Sequence, residues 1–360
     1  MKPKQIIVLI VILGILASGI LLKSWIRSSS DNAGLARGGN VVFSEFDPGK
    51  PEKILIGRSS KTDVELAKDN GVWKVKSLWN AKADPVKVEN LIEKLRSAQG
   101  ELRGSGKNLF PDFGIQDSDA FSIQFFGAGN TPLSDLRLGT KQAGENGYFI
   151  RKSAGEDIYL VNINMAELLG ISTPLNEAAL QSFFWADRSL FDLDPEKVTK
   201  ITLYLLKGEE KTMIMGLERK PDPRDPLKSS WKYLRKDMTS SLDPDKVLKF
   251  IAIMKSVQAD KVVDPGGKDY GLEKPVWQLA VTQNSKKVFL SAGPKDEKAD
   301  LFYVKRSGDP TIFGLQASFF TDLNVDDTHF VKDVPSVAKP PKDPAGDIPA
   351  SLSEEPGQTA

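Results

Sequence analysis

Gly71-Val72-Trp73-Lys74-Val75, then Ala83-Asp84-Pro85, then Phe113-Gly114-Ile115: this stretch decides the fold, because the chain states it twice. The second statement reads Trp231-Lys232-Tyr233-Leu234, Leu242-Asp243-Pro244 and Tyr270-Gly271-Leu272. Working outward, the first copy opens at Phe46-Asp47-Pro48 and runs through Gly139 to Tyr159. The second opens at Leu193-Asp194-Pro195 and runs through Gly293 to Phe313. A period of about 150 residues is too long for a solenoid unit, so the pattern is that of a duplicated domain.

Each copy begins with a β-type run, Lys53-Ile54-Leu55-Ile56 or Lys200-Ile201-Thr202-Leu203-Tyr204, and continues into the tryptophan strand. Asp84-Pro85 and Asp243-Pro244 then place Asp at a helix N-cap and Pro at the first helical position. Val88, Leu91, Ile92 and Leu95 follow at helical spacing, as do Val247, Phe250, Ile251 and Met254. Alternating strands return at 122–125, 135–138, 148–150 and 158–161, and again at 277–281, 287–290, 302–304 and 311–313. Helical closers are expected at 176–185 and 316–323, both containing Ser-Phe-Phe. The second copy adds an insertion, residues 218–230, before its tryptophan. Strands in series with short turns point to antiparallel sheets and an α+β unit.

The order of these parts resembles the bacterial family of unknown function known as DUF4340. The resemblance rests on Gly-Val-Trp-Lys-Val (71–75), the Ala-Asp-Pro helix start, and the Phe-Gly-Ile and Tyr-Gly-Leu-Glu-Lys-Pro steps (113–115 and 270–275). The Leu-Gly followed by Tyr-Phe-Ile-Arg or Phe-Tyr-Val-Lys complete it, with Ile-Tyr-Leu-Val (158–161) as the final strand. It spans nearly everything between residues 45 and 325. It implies an N-terminally anchored protein of the cell envelope, with relatives often encoded beside gliding-motility-type ABC transporter components. It supplies no catalytic residues, because the family has no established chemistry.

The leader fits that address. Residues 5–22 (QIIVLIVILGILASGILL) carry no charge, and at about 1.5 Å per residue they span roughly 27 Å of a ~30 Å hydrocarbon layer. Gln5, Ile6, Leu9, Leu13, Leu16 and Leu22 belong to this anchor, and Trp25 with Lys23 and Arg27 forms an interfacial belt. Lys2, Lys4 and the terminal amine favour the N-terminus inside, hence the body on the extracytoplasmic side of the bacterial inner membrane. The competing reading is a signal peptide cleaved after Ala17-Ser18-Gly19.

With 49 basic against 48 acidic side chains there is no global field to attract nucleic acid. Zero cysteines exclude disulfides, thiol nucleophiles, Cys-ligated zinc and iron–sulfur clusters. The single histidine, His329, has no Gly-x-Ser-x-Gly elbow to serve and is read as a surface residue. Gly104-Ser105-Gly106-Lys107 lacks the Ser or Thr of a phosphate loop, and Gly127-Ala128-Gly129 lacks the last glycine of a dinucleotide fingerprint. Asp84 and Asp243 recur, which invites an acid pair, but capping accounts for both. Trp73 and Trp231 read as core, with sugar stacking the alternative. One basic run stands out: Arg219, Lys220, Arg224, Lys228, Lys232, Arg235 and Lys236, a candidate interaction patch for anionic lipid, wall polymer or an acidic partner.

The expectation is therefore an α+β protein: an N-terminal transmembrane helix, then two duplicated domains of mainly antiparallel sheet with packed helices. Residues 1–27 form the anchor, 28–40 a Ser/Gly/Asn-rich linker, 41–187 and 188–334 the two domains, and 335–360 a Pro-rich disordered tail. The expected role is non-enzymatic, without cofactor or metal. It is an accessory or scaffold subunit of a membrane assembly such as an ABC-type transporter, with the bilayer and other envelope proteins as partners. The alternatives are a binder of cell-wall glycan or another envelope polymer, and a glycan- or peptide-cleaving hydrolase using paired carboxylates.

Overall fold

The computed structural model describes residues 40–41, 46–59, 61–144, 146–221, 229–234 and 242–331. The anchor residues Gln5, Ile6, Leu9, Leu13, Leu16, Leu22 and Trp25 lie outside them, as do residues 28–39 of the linker and the whole 335–360 tail. Among the described residues no helix is long and apolar enough to cross a membrane.

In the first copy the strands are β1 (Asn40–Val41), β2 (Lys53–Arg58), β3 (Lys61–Asp69), β4 (Val72–Val75) and β5 (Ala81–Lys82). After helix α1 (Pro85–Arg96) come β6 (Gln99–Ser105), β7 (Phe121–Phe126), β8 (Pro132–Gln142), β9 (Gly147–Lys152) and β10 (Asp157–Asn162). The second copy has β11 (Val198–Lys207), β12 (Glu210–Pro221), β13 (Ser229–Tyr233), helix α4 (Pro244–Ser256), β14 (Lys261–Val263), β15 (Trp277–Gln283), β16 (Lys286–Asp296), β17 (Leu301–Arg306) and β18 (Ile312–Gln316). The short helices α2 (Phe110–Phe113), α3 (Met165–Leu168) and α5 (Ser318–Asp322) complete the numbering.

Both sheets are antiparallel. The first runs β1-β6-β10-β9-β8-β7-β2-β3-β4-β5 and the second β14-β18-β17-β16-β15-β11-β12-β13. Laid on the shared motifs, β6 through β4 correspond in order to β14 through β13, strand for strand. The duplication is thus one of topology as well as of sequence. The fold is mostly β, which corrects the α+β expectation: among the described residues each copy carries one helix longer than five residues. Each sheet buries one face by alternation, as in β7, where Phe121, Ile123 and Phe125 point inward. Helix α1 buries Val88, Leu91, Ile92 and Leu95, and α4 buries Val247, Phe250, Ile251 and Met254. Those are the stripes that the spacing predicts.

Each copy is latched at its end by the same device. The backbone N–H of Asp84 donates to Trp185 O at 2.8 Å, and that of Asp243 donates to Phe330 O at 2.7 Å. A lysine one turn on, Lys87 or Lys246, donates its ammonium to Phe184 O at 2.7 Å or Val331 O at 2.8 Å. The cap of the helix and the return of the chain are therefore a single joint.

Two further expectations need correction. The closer at 176–185 is a 3-10 turn over Ser182–Trp185 only. The carbonyls of Asn176, Phe184 and Trp185 accept from Arg58, Lys87 and Asp84 instead of from helical N–H groups. In the 316–323 closer the α-helix is confined to Ser318–Asp322. At the described ends of the 218–230 insertion β12 pairs with β13: Glu218 with Lys232, Arg219 with Trp231 and Pro221 with Ser229. Its counterpart β3–β4 closes tightly on Asn70-Gly71, both at positive φ (50° and 79°), the two-residue hairpin signature.

Candidate functional site

The residues that recur with chemical potential are occupied by the fold. The Asp84 carboxylate accepts from the N–H of Val86 at 3.0 Å and Lys87 at 3.4 Å, and the Asp243 carboxylate accepts from the N–H of Asp245 at 3.0 Å. Trp73 and Trp231 are 7% and 4% exposed, so neither offers an open ring face. His329 is exposed, packed edge-on against Phe330 and Phe250. Gly104 and Ser105 end strand β6, Lys107 reaches Glu156 at 3.9 Å, and Gly127 to Gly129 turn the chain from β7 to β8. Among the described residues no group of His, Asp and Glu is placed to hold a metal ion.

The aromatic-Gly step has a structural reason that spacing alone does not reveal. Gly114 and Gly271 both adopt positive φ, 63° and 67°. This bend lays the carbonyl of Phe113 or Tyr270 directly on Gly139 or Gly293, where β8 and β16 shift register against β9 and β17. The same bend sets Phe113 edge-on against Phe149 and Tyr270 tilted against Tyr303, each pair with ring centroids 4.6 Å apart.

The described members of the basic run are partly spent. Lys220 pairs with Glu218 at 2.9 Å, and Glu218 also holds Lys200 at 2.9 Å. The two ammonium groups keep the Glu218 carboxyl below its usual value. Arg219 donates to Ser229 Oγ at 2.6 Å and to Glu196 O at 2.8 Å. Lys232 is exposed on β13. Arg224, Lys228, Arg235 and Lys236 lie outside the described residues.

Buried charge in the first copy centres on Arg151, 1% exposed, which donates to Ile115 O at 3.0 Å, Ser153 O at 2.7 Å and Asp117 at 2.7 Å. Desolvation pushes the Asp117 carboxyl up, but Arg137 and Arg151 outweigh it and hold it below the usual range. Asp187 and Asp309 behave alike. Burial raises both. The hydroxyl and N–H of Ser189 with Lys82, and the N–H of Thr311 with Arg306, bring them below the ordinary carboxylate value. A folded-state value below the unfolded one means that stabilisation is complete above about pH 4 and lost as pH falls further. Stability should therefore drop as pH is lowered from about 4. In Asp309→Asn the drop is expected to be shallower, from a lower plateau, as urea midpoints measured across that range would read.

Two clefts remain. One, of about 570 Å³, lies between α1 and the turn after β10 and is lined by Lys87, Asn90, Lys94, Asn162, Asn164 and Phe184. The other, of about 510 Å³, lies in the second copy around Tyr270 and Tyr303, with Lys268, Lys295 and Asp296 at its wall. The Lys268 ammonium reaches Asp296 Oδ2 at 2.7 Å, and Tyr303 Oη donates to the same oxygen at 3.2 Å. Lys268, the N–H of Ala299 and Tyr303 together lower the Asp296 carboxyl to about 2. Sequence reading missed this cluster. Its tyrosines sit inside the recurring motif, but Lys268 and Asp296 are 28 residues apart and match no pattern.

Fold and motif define a tandem antiparallel-sheet protein whose repeated polar residues build the scaffold. The family model described as a domain of unknown function (DUF4340) matches residues 73–240 and again 231–335, and the chain belongs to that family. Both matches begin at a tryptophan strand, Trp73 in β4 and Trp231 in β13. Each sheet also contains the two strands before that tryptophan, so the matched segments and the sheets are out of phase. No curated protein and no solved structure matches the chain.

Proposed function

We propose that this protein is a non-enzymatic, single-pass envelope subunit, held in the bacterial inner membrane by residues 5–22 with its two sheet domains on the extracytoplasmic side. Its work is to dock other membrane or envelope proteins, an ABC-type transporter being the assembly that the family resemblance favours. The observation that carries this reading is the use made of the recurring residues: Asp84 and Asp243 cap helices, and Trp73 and Trp231 fill cores. Selection for two copies of a folding pattern, with the chemistry absorbed by folding, is what a scaffold requires.

The test is crosslinking in intact membranes followed by recovery under denaturing conditions. The full chain is compared with a variant lacking residues 1–27 that is exported by a cleavable signal. Reproducible recovery of transporter subunits by the full chain, and their loss from the released variant, is the expected result. Recovery of wall polymer alone would replace this reading with the polymer binder, against which the burial of both tryptophans weighs. A turnover lost on Asp or Glu substitution would replace it with the hydrolase.

A further inference from the structure

The two copies share one backbone around the aromatic-Gly step and differ there in chemistry. The first copy has Phe113 on Phe149; the second has Tyr270 on Tyr303 at the same 4.6 Å. Two residues before the first aromatic, Pro111 becomes Lys268. Three residues after the buried glycine, Gln142 becomes Asp296. Gln142 in the first copy bonds the Tyr148 hydroxyl. In the second copy all four changes converge on one point. The Lys268 ammonium sits 4.7 Å from the Tyr303 ring centroid and 5.6 Å from that of Tyr270, and 2.7 Å from the Asp296 carboxylate. Lys261 approaches Tyr303 at 5.8 Å as well. Two electron-rich faces and one anion within about 6 Å form the arrangement that binds alkylammonium groups.

We infer that the Tyr270–Tyr303–Asp296 cleft is a receptor site for an alkylammonium ligand, occupied in the free protein by Lys268 as an internal competitor. Three observations support the exchange. The Lys268 side chain is 50% exposed at the mouth, so it can leave without unfolding anything. The Tyr303 side that it covers is otherwise buried, the whole residue being 6% exposed. The neighbouring cation Lys295 is turned to Glu297 at 3.1 Å and Asp300 at 2.9 Å, which leaves Lys268 as the ammonium on Asp296. The ligand class is stated by the group already in place: a primary ammonium such as a partner's lysine, or a quaternary headgroup. This site stands independently of the scaffold reading.

The test titrates full-length protein in detergent micelles, with its tyrosines 13C-labelled, with n-butylammonium chloride at constant ionic strength. The Tyr270 and Tyr303 ring signals are followed. Lys268→Met is expected to bind about tenfold more tightly than the unaltered chain. Asp296→Asn and Tyr303→Ala, each added to Lys268→Met, should lose that gain, and n-butanol, the neutral isostere, should not bind. Tetramethylammonium in a parallel titration separates the sources: preference for it marks a quaternary headgroup, preference for butylammonium marks a lysine-type side chain. Equal affinity with and without Lys268, or binding of butanol as strong as of butylammonium, overturns the proposal. Lys268→Gln, with its fold checked by circular dichroism, guards against a Met-specific artefact.

Discussion

Gly293→Ala should destabilise the second copy by about 3 kcal/mol, the upper range for forcing atoms into a filled site. A Cβ at Gly293 would lie 1.9 Å from the Tyr270 carbonyl oxygen, 3.1 Å from its carbon and 3.2 Å from the Gly271 carbonyl carbon. All three are backbone atoms, so no rotamer change relieves the contact. The backbone that must move is the positive-φ bend at Gly271, whose own added Cβ would strike Pro294 Cδ at 2.3 Å. Strand β16 shifts register at this point, so displacement propagates into its pairing with β17. Gly139→Ala in the first copy meets the carbonyl oxygens of Phe113 at 2.5 Å and Phe149 at 3.3 Å and Ile115 Cγ2 at 2.9 Å, and should cost less, since its backbone overlap is shallower than the 1.9 Å contact at Gly293. Gly155→Ala is the control, its nearest neighbour being Lys152 Cβ at 3.6 Å. Urea unfolding of the three variants gives the ranking. A Gly293→Ala midpoint equal to that of Gly155→Ala would mean that the aromatic-Gly step does not rest on β16 as described.

That bend also shows what the sequence makes legible and what it hides. The paired Asp-Pro starts announce both long helices, because a cap and a proline act within one turn and need no tertiary partner. The alternating runs at 122–125 and 277–281 announce β7 and β15, because one face of each is buried. Strand β6 escapes notice: Gln-Gly-Glu-Leu-Arg-Gly-Ser has no buried face to write a period into the sequence, and its pairing with β10 and β1 makes it a strand. Strand β3 is hidden for a related reason, its charged outer positions masking Val64 and Leu66. The closer at 176–185 misleads because its carbonyls are claimed by Arg58, Lys87 and Asp84, side chains and backbone that lie about 90 to 120 residues away. The ammonium cleft is illegible for the same cause. Asp296 and Tyr303 meet through the pairing of β16 with β17, and Lys268 joins them from the loop before Tyr270. The motif that marks the tyrosines shows their place in the fold and not what lies over their rings.

The latch that ends each copy supports a second large effect. Trp185→Ala should cost about 4 kcal/mol, in the range for emptying a fully buried tryptophan site. Its side chain is 0% exposed and meets Phe184 edge-on at 5.1 Å, beneath the joint between the α1 cap and the returning chain. Trp185→Phe should cost about 1 kcal/mol or less, for a reason the second copy supplies. The Trp185 Nε1 is buried and has no hydrogen-bond partner among the described residues. Removing an unpaired buried donor recovers part of what the lost ring volume forfeits. Phe330 already fills the equivalent position, equally buried and edge-on to Phe250 at 5.3 Å, with the same backbone bond from the helix cap. The two variants therefore separate shape from polarity at one site. Thermal unfolding that places Trp185→Phe near the unaltered chain and Trp185→Ala far below it would show that the latch needs a flat ring and not an indole. If the two fall together, the indole N–H contributes a bond of its own, and the equivalence of the two latches fails in its chemistry while holding in its topology.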